Sequence, residues 1–202
     1  MLGTAAWSSA RAEGAQDTLV AMGRYLQAVA RLFADTGYRV DGIEVGALDA
    51  DVRTALRHEI AQLAQALDGL LGPKAVFVQD LRGYARRARA GGFDSPQQRR
   101  NAWGAIQREV EGIARGADDV LEIVSRADSR LDVVIPDEDR LRLGQVMRQR
   151  RLLLRRFPEI PPPEAAGELL ALDEMVEQHE QLRLATERFR LTLEGKRRTL
   201  AA

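Results

Sequence analysis

The chain has 202 residues, is 45% hydrophobic, and balances 30 basic residues against 30 acidic ones without a single cysteine. That composition excludes disulfides, thiolate metal sites, iron–sulfur clusters and cysteine nucleophiles, and it leaves no global field to attract nucleic acid or anionic lipid. No stretch reaches the roughly 18 uninterrupted apolar residues of a membrane span, and the first residues lack the charged start and apolar run of a signal peptide, so a cytoplasmic, membrane-free protein is expected.

Residues 1–16 (MLGTAAWSSARAEGAQ) are small and polar and read as a disordered leader, with Trp7 incidental or an anchor for a partner. Helix one is expected from Asp17 to Asp35, carrying Leu19, Met22, Leu26, Val29 and Phe33 on one face, with Gly37 as its stop. The Asp41-Gly42 pair between short alternating runs predicts a small β-hairpin over Tyr38–Val45. Helix two should run from Asp49 to Leu71 with Val52, Leu56, Ile60, Leu63, Leu67 and Leu70 buried, and Gly72-Pro73 should end it. A third helix carries Phe77, Leu81, Tyr84 and Ala88 and breaks at Gly91-Gly92.

Ser95-Pro96-Gln97-Gln98 combines an N-cap, a proline at the first helical position and a capping-box glutamine. The fourth helix follows along the seam Trp103, Ile106, Val110, Ile113, Ala117, Val120, Val124, Ala127 and Leu131, out to about Val133. Pro136 stops it. Helix five spans Asp137 to Phe157, and a stiff Pro158–Pro163 link leads to helix six, Glu164 to Leu200. The seam of that last helix (Leu172, Met175, His179, Leu182, Thr186, Phe189, Leu193, Lys196, Leu200) is interrupted by polar residues, and glycines at 104, 112, 116, 144, 167 and 195 fall inside the last three helices.

Lysine occurs only at 74 and 196, leaving 28 of the 30 basic residues as arginine. Helix five holds Arg140, Arg142, Arg148, Arg150, Arg151, Arg155 and Arg156, whereas helix six opens with Glu164, Glu168, Asp173, Glu174, Glu177 and Glu180. The short link between them predicts an antiparallel helical hairpin with the two charge blocks facing each other. Arg82, Arg86, Arg87, Arg89, Arg99 and Arg100 gather at the turn between helices three and four, opposed locally only by Asp94, and form the candidate anion-binding corner. Leu152, Leu153 and Leu154 spread over about 200° of helix circumference, so one flank cannot bury all three. They are expected either inside the bundle or under another chain.

Catalytic material is sparse. Histidine occurs only at 58 and 179, neither preceded by glutamate three residues earlier, which removes the carboxylate-bridged di-iron pattern. No Walker A loop, dinucleotide fingerprint, nucleophile elbow or His-Glu-x-x-His element is present. Asp118, Asp119 and Glu122 share a helix face that would hold magnesium only with a second acidic motif, for which Glu174, Glu177 and Glu180 are the sole complement; a solvated acidic face is the simpler expectation. Arg53-Thr-Ala-Leu-Arg-His58 resembles the arginine, four residues, histidine spacing of the HEPN ribonucleases, small all-α proteins. The resemblance covers six residues and implies that Arg53 would stabilise phosphate charge while His58 assists proton transfer. Positions 53 and 58 are about 140° apart on a straight helix, so convergence would need a kink or a second subunit.

These readings predict an all-α fold, an elongated bundle of about six helices with the β-hairpin between helices one and two. A single domain is expected over 17–200, divisible into 17–134 and a helical hairpin at 135–200. The leading functional expectation is a non-enzymatic interaction or scaffolding subunit contacting a protein partner or another copy through helices five and six, by way of Leu152, Leu153, Leu154, His179, Phe189 and Leu193. No cofactor, metal or membrane is expected. An HEPN-like ribonuclease using Arg53 and His58, and a nucleic-acid-binding subunit using the Arg82–Arg100 corner, are the alternatives.

Overall fold

Leu19, Met22, Leu26, Val29 and Phe33 are all buried along one helix, and that helix neither starts nor stops where turn signals suggested. In the computed structural model, which describes residues 3–125 and 137–201, α1 spans Gly3–Asp41. Its first turns therefore fall in the segment read as a leader. At its other end Gly37 is a packing position: a Cβ there would stand 3.3 Å from Cδ2 of Phe189. Beyond it Val40 is completely buried while Tyr38 is 84% exposed.

The expected β-hairpin is thus absent, because the alternation that suggested strands is the end of a helix with Val40 turned inward. Residues 42–44 form a short connection, followed by a 3-10 turn at Val45–Ala47. Lys196 donates to the Asp41 and Ile43 carbonyls at 2.7 and 3.0 Å, satisfying acceptors that the end of α1 leaves open.

The expected break at Gly72-Pro73 is also absent, and helices two and three are one helix, α2 (Ala50–Arg89). Pro73 deletes the hydrogen bond to the Gly69 carbonyl, but Gly69 is exposed, so water can replace the lost donor. An interior proline costs about 3 kcal/mol. The fully buried Leu67, Phe77 and Leu81 on either side each stabilise by about 1.5–3 kcal/mol, enough to carry the helix through. It ends at Gly91, whose φ of 63° lies in the left-handed region that closes helices.

The start read at Ser95 is present as expected: Ser95 Oγ accepts from the Gln98 N–H at 3.1 Å, and Gln98 Oε1 accepts from the Asp94 N–H at 2.8 Å. From there α3 (Pro96–Ser125) runs unbroken through its glycines, with Trp103 and Ile106 buried. The later seam residues Ile113, Ala117, Val120, Val124, Ala127 and Leu131, and the expected end near Val133, lie outside the described side chains or residues. α4 (Asp137–Arg156) and, after a 3-10 turn at Phe157–Glu159, α5 (Ala166–Thr199) complete the set. The described residues thus hold five α-helices and no strand, an all-α fold with one helix fewer than expected.

Helix α5, last in sequence, is central in space. It packs along both α1 and α2, while α3 lies on α2 and α4 on α1. Gly23 approaches the Met175 backbone and Gly37 approaches Phe189, fourteen residues further along in both helices, so α1 and α5 run parallel. Phe77 meets His179 and Asp68 meets Arg190, so α2 and α5 run antiparallel. Serving two neighbours explains why the seam of α5 looks irregular: its buried residues include Leu169, Ala171, Leu172, Met175 and Val176 in close succession.

This arrangement overturns the expected α4–α5 hairpin. Among the described residues α4 packs chiefly on α1 rather than along α5, and the side chains of Arg140, Arg148 and Arg151 lie outside the described set. Asp173 of α5 pairs with Arg89 at the end of α2, and Glu164, just before α5, pairs with Arg99 at the start of α3 at 2.6 Å.

Candidate functional site

The proline-rich segment before α5 is held by side chains from α2 and α3. Trp103 Nε1 donates to the Ile160 carbonyl at 2.9 Å, Tyr84 Oη donates to the Pro163 carbonyl at 3.3 Å, and Gln107 Nε2 donates to the Phe157 and Ile160 carbonyls at 3.0 Å. Tyr84, Phe93, Trp103 and Phe157 form a continuous chain of ring contacts. These donors supply carbonyls of the segment, of which the Phe157 carbonyl also accepts from the Ile160 N–H at 3.2 Å. Glu168 then accepts from the Glu164 and Ala165 N–H groups at 2.8 and 3.0 Å, starting α5.

The basic corner is built on this clamp and is largely engaged. Arg89 pairs with Asp173 and also donates to the Leu169 carbonyl at 3.3 Å, and Arg99 pairs with Glu164. Arg87 and Arg99 lie over the ring of Phe93 at 5.0 and 5.5 Å, and Arg100 donates to Gln97 at 2.8 Å. Arg82 is close enough to Glu180 to help lower its carboxyl pKa, an effect led by the hydrogen bond from Arg183. The acids that complement this corner come from α5 and the segment just before it, far away in sequence, so local inspection could not find them. Arg86 is exposed.

Arg53 and His58 do not converge. Arg53 Nη2 donates to the Leu48 carbonyl at 3.2 Å, bracing the loop before α2. His58 is exposed on another face, its Nε2 3.0 Å from the Gln62 side-chain nitrogen. Here the HEPN-like spacing places one residue in a structural brace and the other in a groove.

That groove was not singled out by the sequence. Thr54, Arg57, His58 and Ala61 of α2 face Arg197, Arg198 and Ala201 near the end of α5 across a cleft of about 570 Å³. Among the described residues its lining contains no acid. The signal available in sequence was the Arg197-Arg198 pair, which gains a partner only when α5 is laid antiparallel on α2.

The residues expected to contact another chain divide. His179, Phe189 and Leu193 are buried within the chain, His179 edge-on to Phe77 at 4.8 Å and Phe189 against Phe33 at 5.6 Å. They are internal core, because α1 and α2 cover both sides of α5. Thr186, fully buried in the same seam, bonds the Leu182 carbonyl at 2.7 Å, which satisfies its hydroxyl without a second chain. Of the triple leucine, Leu153 is buried and Leu152 is 50% exposed, and the side chain of Leu154 lies outside the described set.

Asp80 and Glu109 face each other from α2 and α3, and burial together with the Asp80 charge raises the Glu109 pKa. No group of three or more potential metal ligands occurs among the described residues, although the side chains of Asp118 and Asp119 lie outside that set. No helix among the described residues is long and apolar enough to cross a membrane. No known protein family, curated protein or solved structure shows a significant match to this chain.

Proposed function

We propose that the protein is a non-enzymatic helical interaction subunit of a cytoplasmic complex, and that it engages its partner or a second copy through the outer face of α4. The observation that carries this reading is the two-sidedness of that helix. Val146, Arg150 and Leu153, with Phe157 just beyond the helix, are buried on the side toward the bundle. Leu141 and Leu152 are 71% and 50% exposed, and eleven residues place them within about 20° of each other on the opposite side. Exposed Gln145 continues the same stripe. Two large leucines in register on one open helix face suit helix-to-helix association better than solvent contact.

Cysteine-free composition supports a reducing compartment. The ribonuclease alternative is weakened by the separation of Arg53 from His58, and the nucleic-acid alternative by the ion pairs that engage the Arg82–Arg100 corner. Photo-crosslinking amino acids placed at 141, at 152 and at exposed control position Glu177 test the reading in the source cells. Protein adducts concentrated at 141 and 152 support it. Equal or absent adducts at all three positions refute it.

A further inference from the structure

The groove between the start of α2 and the end of α5 gathers more cationic side chains than the cleft between α1 and α5, whose lining, also without an acid, holds only Arg31 and Arg188 among the described residues. Arg57, His58, Arg197 and Arg198 line it together, and among the described residues no carboxylate is part of its wall. Other arginines meet acids from a separate element of the chain: Arg89 with Asp173, Arg99 with Glu164, Arg190 with Asp68. Arg57, Arg197 and Arg198 have no ion-pair partner among the described residues. Arginines brought together across a cleft repel one another, and an anion seated between them converts that repulsion into attraction.

The chemistry of the lining selects the anion. Guanidinium groups present planar forks of N–H donors that match phosphate oxygens two at a time. Thr54, Ala61 and Ala201 are small and leave space between the forks. His58 is positioned by Gln62 at 3.0 Å and supplies a further ring nitrogen to the same wall.

The extent of the positive surface limits the ligand's size. From Thr54 to Ala61 the α2 wall is about 10 Å long. Exposed Asp49 and Asp51 lie beyond its start, and on α5 Glu194 precedes Arg197, already paired with Arg190 at 2.8 Å. A nucleic-acid strand following this surface would leave the cations within a turn or two and meet carboxylates.

We propose that this groove binds a compact phosphate anion, of the size of inorganic pyrophosphate or the terminal diphosphate of a small molecule, through Arg57, Arg197 and Arg198 with His58 at its edge. The site is independent of the α4 face and uses none of its residues.

Calorimetric titration of the full chain with pyrophosphate, at constant ionic strength set by chloride, tests the proposal. Saturable one-to-one binding is expected, weakened at least tenfold in Arg57→Gln/Arg197→Gln and to a lesser degree in Arg57→Lys, which keeps the charge but loses the fork. The substituted side chains are exposed, and thermal unfolding of each variant confirms an intact fold. Absence of saturable binding to the wild type, or equal affinity in the double variant, overturns the proposal. Two further arms separate the sources of phosphate: single-stranded RNA, and vesicles containing phosphatidic acid. If either binds through these arginines while pyrophosphate does not, the compact-anion site is likewise refuted.

Discussion

The indole Nε1 of Trp103 donates to the Ile160 carbonyl at 2.9 Å, and the same carbonyl accepts from Gln107 Nε2 at 3.0 Å. One acceptor with two donors joins α3 to the segment that delivers the chain into α5. Removing either donor should cost about 1 kcal/mol, because the other still satisfies the carbonyl. Removing both, in Trp103→Phe/Gln107→Ala, strands a carbonyl in an enclosed site, and the double variant should lose about 1–2 kcal/mol more than the sum of the singles. Urea denaturation of the four proteins gives the coupling directly; simple additivity would show that the shared acceptor is not what holds the segment.

Glycine positions should respond in opposite directions. At Gly37 a Cβ would already stand 3.3 Å from Phe189, so Gly37→Val forces α1 away from α5 and should destabilise by about 1–3 kcal/mol. Gly83, inside α2, has nothing within 4 Å of a would-be Cβ, and Gly83→Ala should stabilise by about 0.5–1 kcal/mol through helix propensity alone. Thermal midpoints moving the same way in both variants would contradict this packing.

Glu168 is 5% exposed and its Oε2 accepts from two backbone N–H groups at the start of α5. Glu168→Ala should therefore lower stability by about 1–2 kcal/mol, in the range of a lost cap. Glu168→Gln, which keeps one carbonyl acceptor, should recover much of that loss. Equal effects of the two substitutions would show that the acceptor is unimportant and that only side-chain packing was removed.

Alkaline unfolding should report Tyr25. Burial pushes its phenol up to about 12, a rise only partly countered by the nearby Arg150 charge. In the unfolded chain the phenol ionises near its ordinary value of about 10, so unfolded protein releases the proton first. The stabilising contribution is complete below pH 10 and is lost as pH climbs from about 10 toward 12. Tyr84 shifts in the same direction, chiefly through desolvation. Stability measured at several pH values should fall across that window, and Tyr25→Phe should flatten the fall; an unchanged slope in the variant would remove Tyr25 as a cause.

Local periodicity was sufficient for the individual helices. Leu19 through Phe33, Leu56 through Leu67 and Trp103 with Ile106 are buried as their spacing requires, and the Ser95 start carries the two capping hydrogen bonds that its sequence announces. A repeat near 3.6 residues is a property of neighbouring residues, so it survives without knowledge of the fold. Where turn signals competed with long-range burial they were misleading. Val40 anchors the end of α1 past Gly37, and Leu67 and Phe77 carry α2 past Pro73, because tertiary burial outweighs a local propensity of about 1–3 kcal/mol.

Composition and periodicity alone make this protein helical, cysteine-free, balanced in charge and without the common catalytic motifs. Which charges meet and which apolar residues stay outside follow from how the helices pack. Placing α5 between α1 and α2 brought Asp173 to Arg89 and Glu164, just before the helix, to Arg99, left α4 against α1, buried His179, Phe189 and Leu193, and brought Arg57 and His58 to Arg197 and Arg198. Each of these pairings joins residues from separate elements of the chain. Side-chain patterns along one helix specify a face to be covered, but the identity of the helix that covers it follows from the packing of the whole chain.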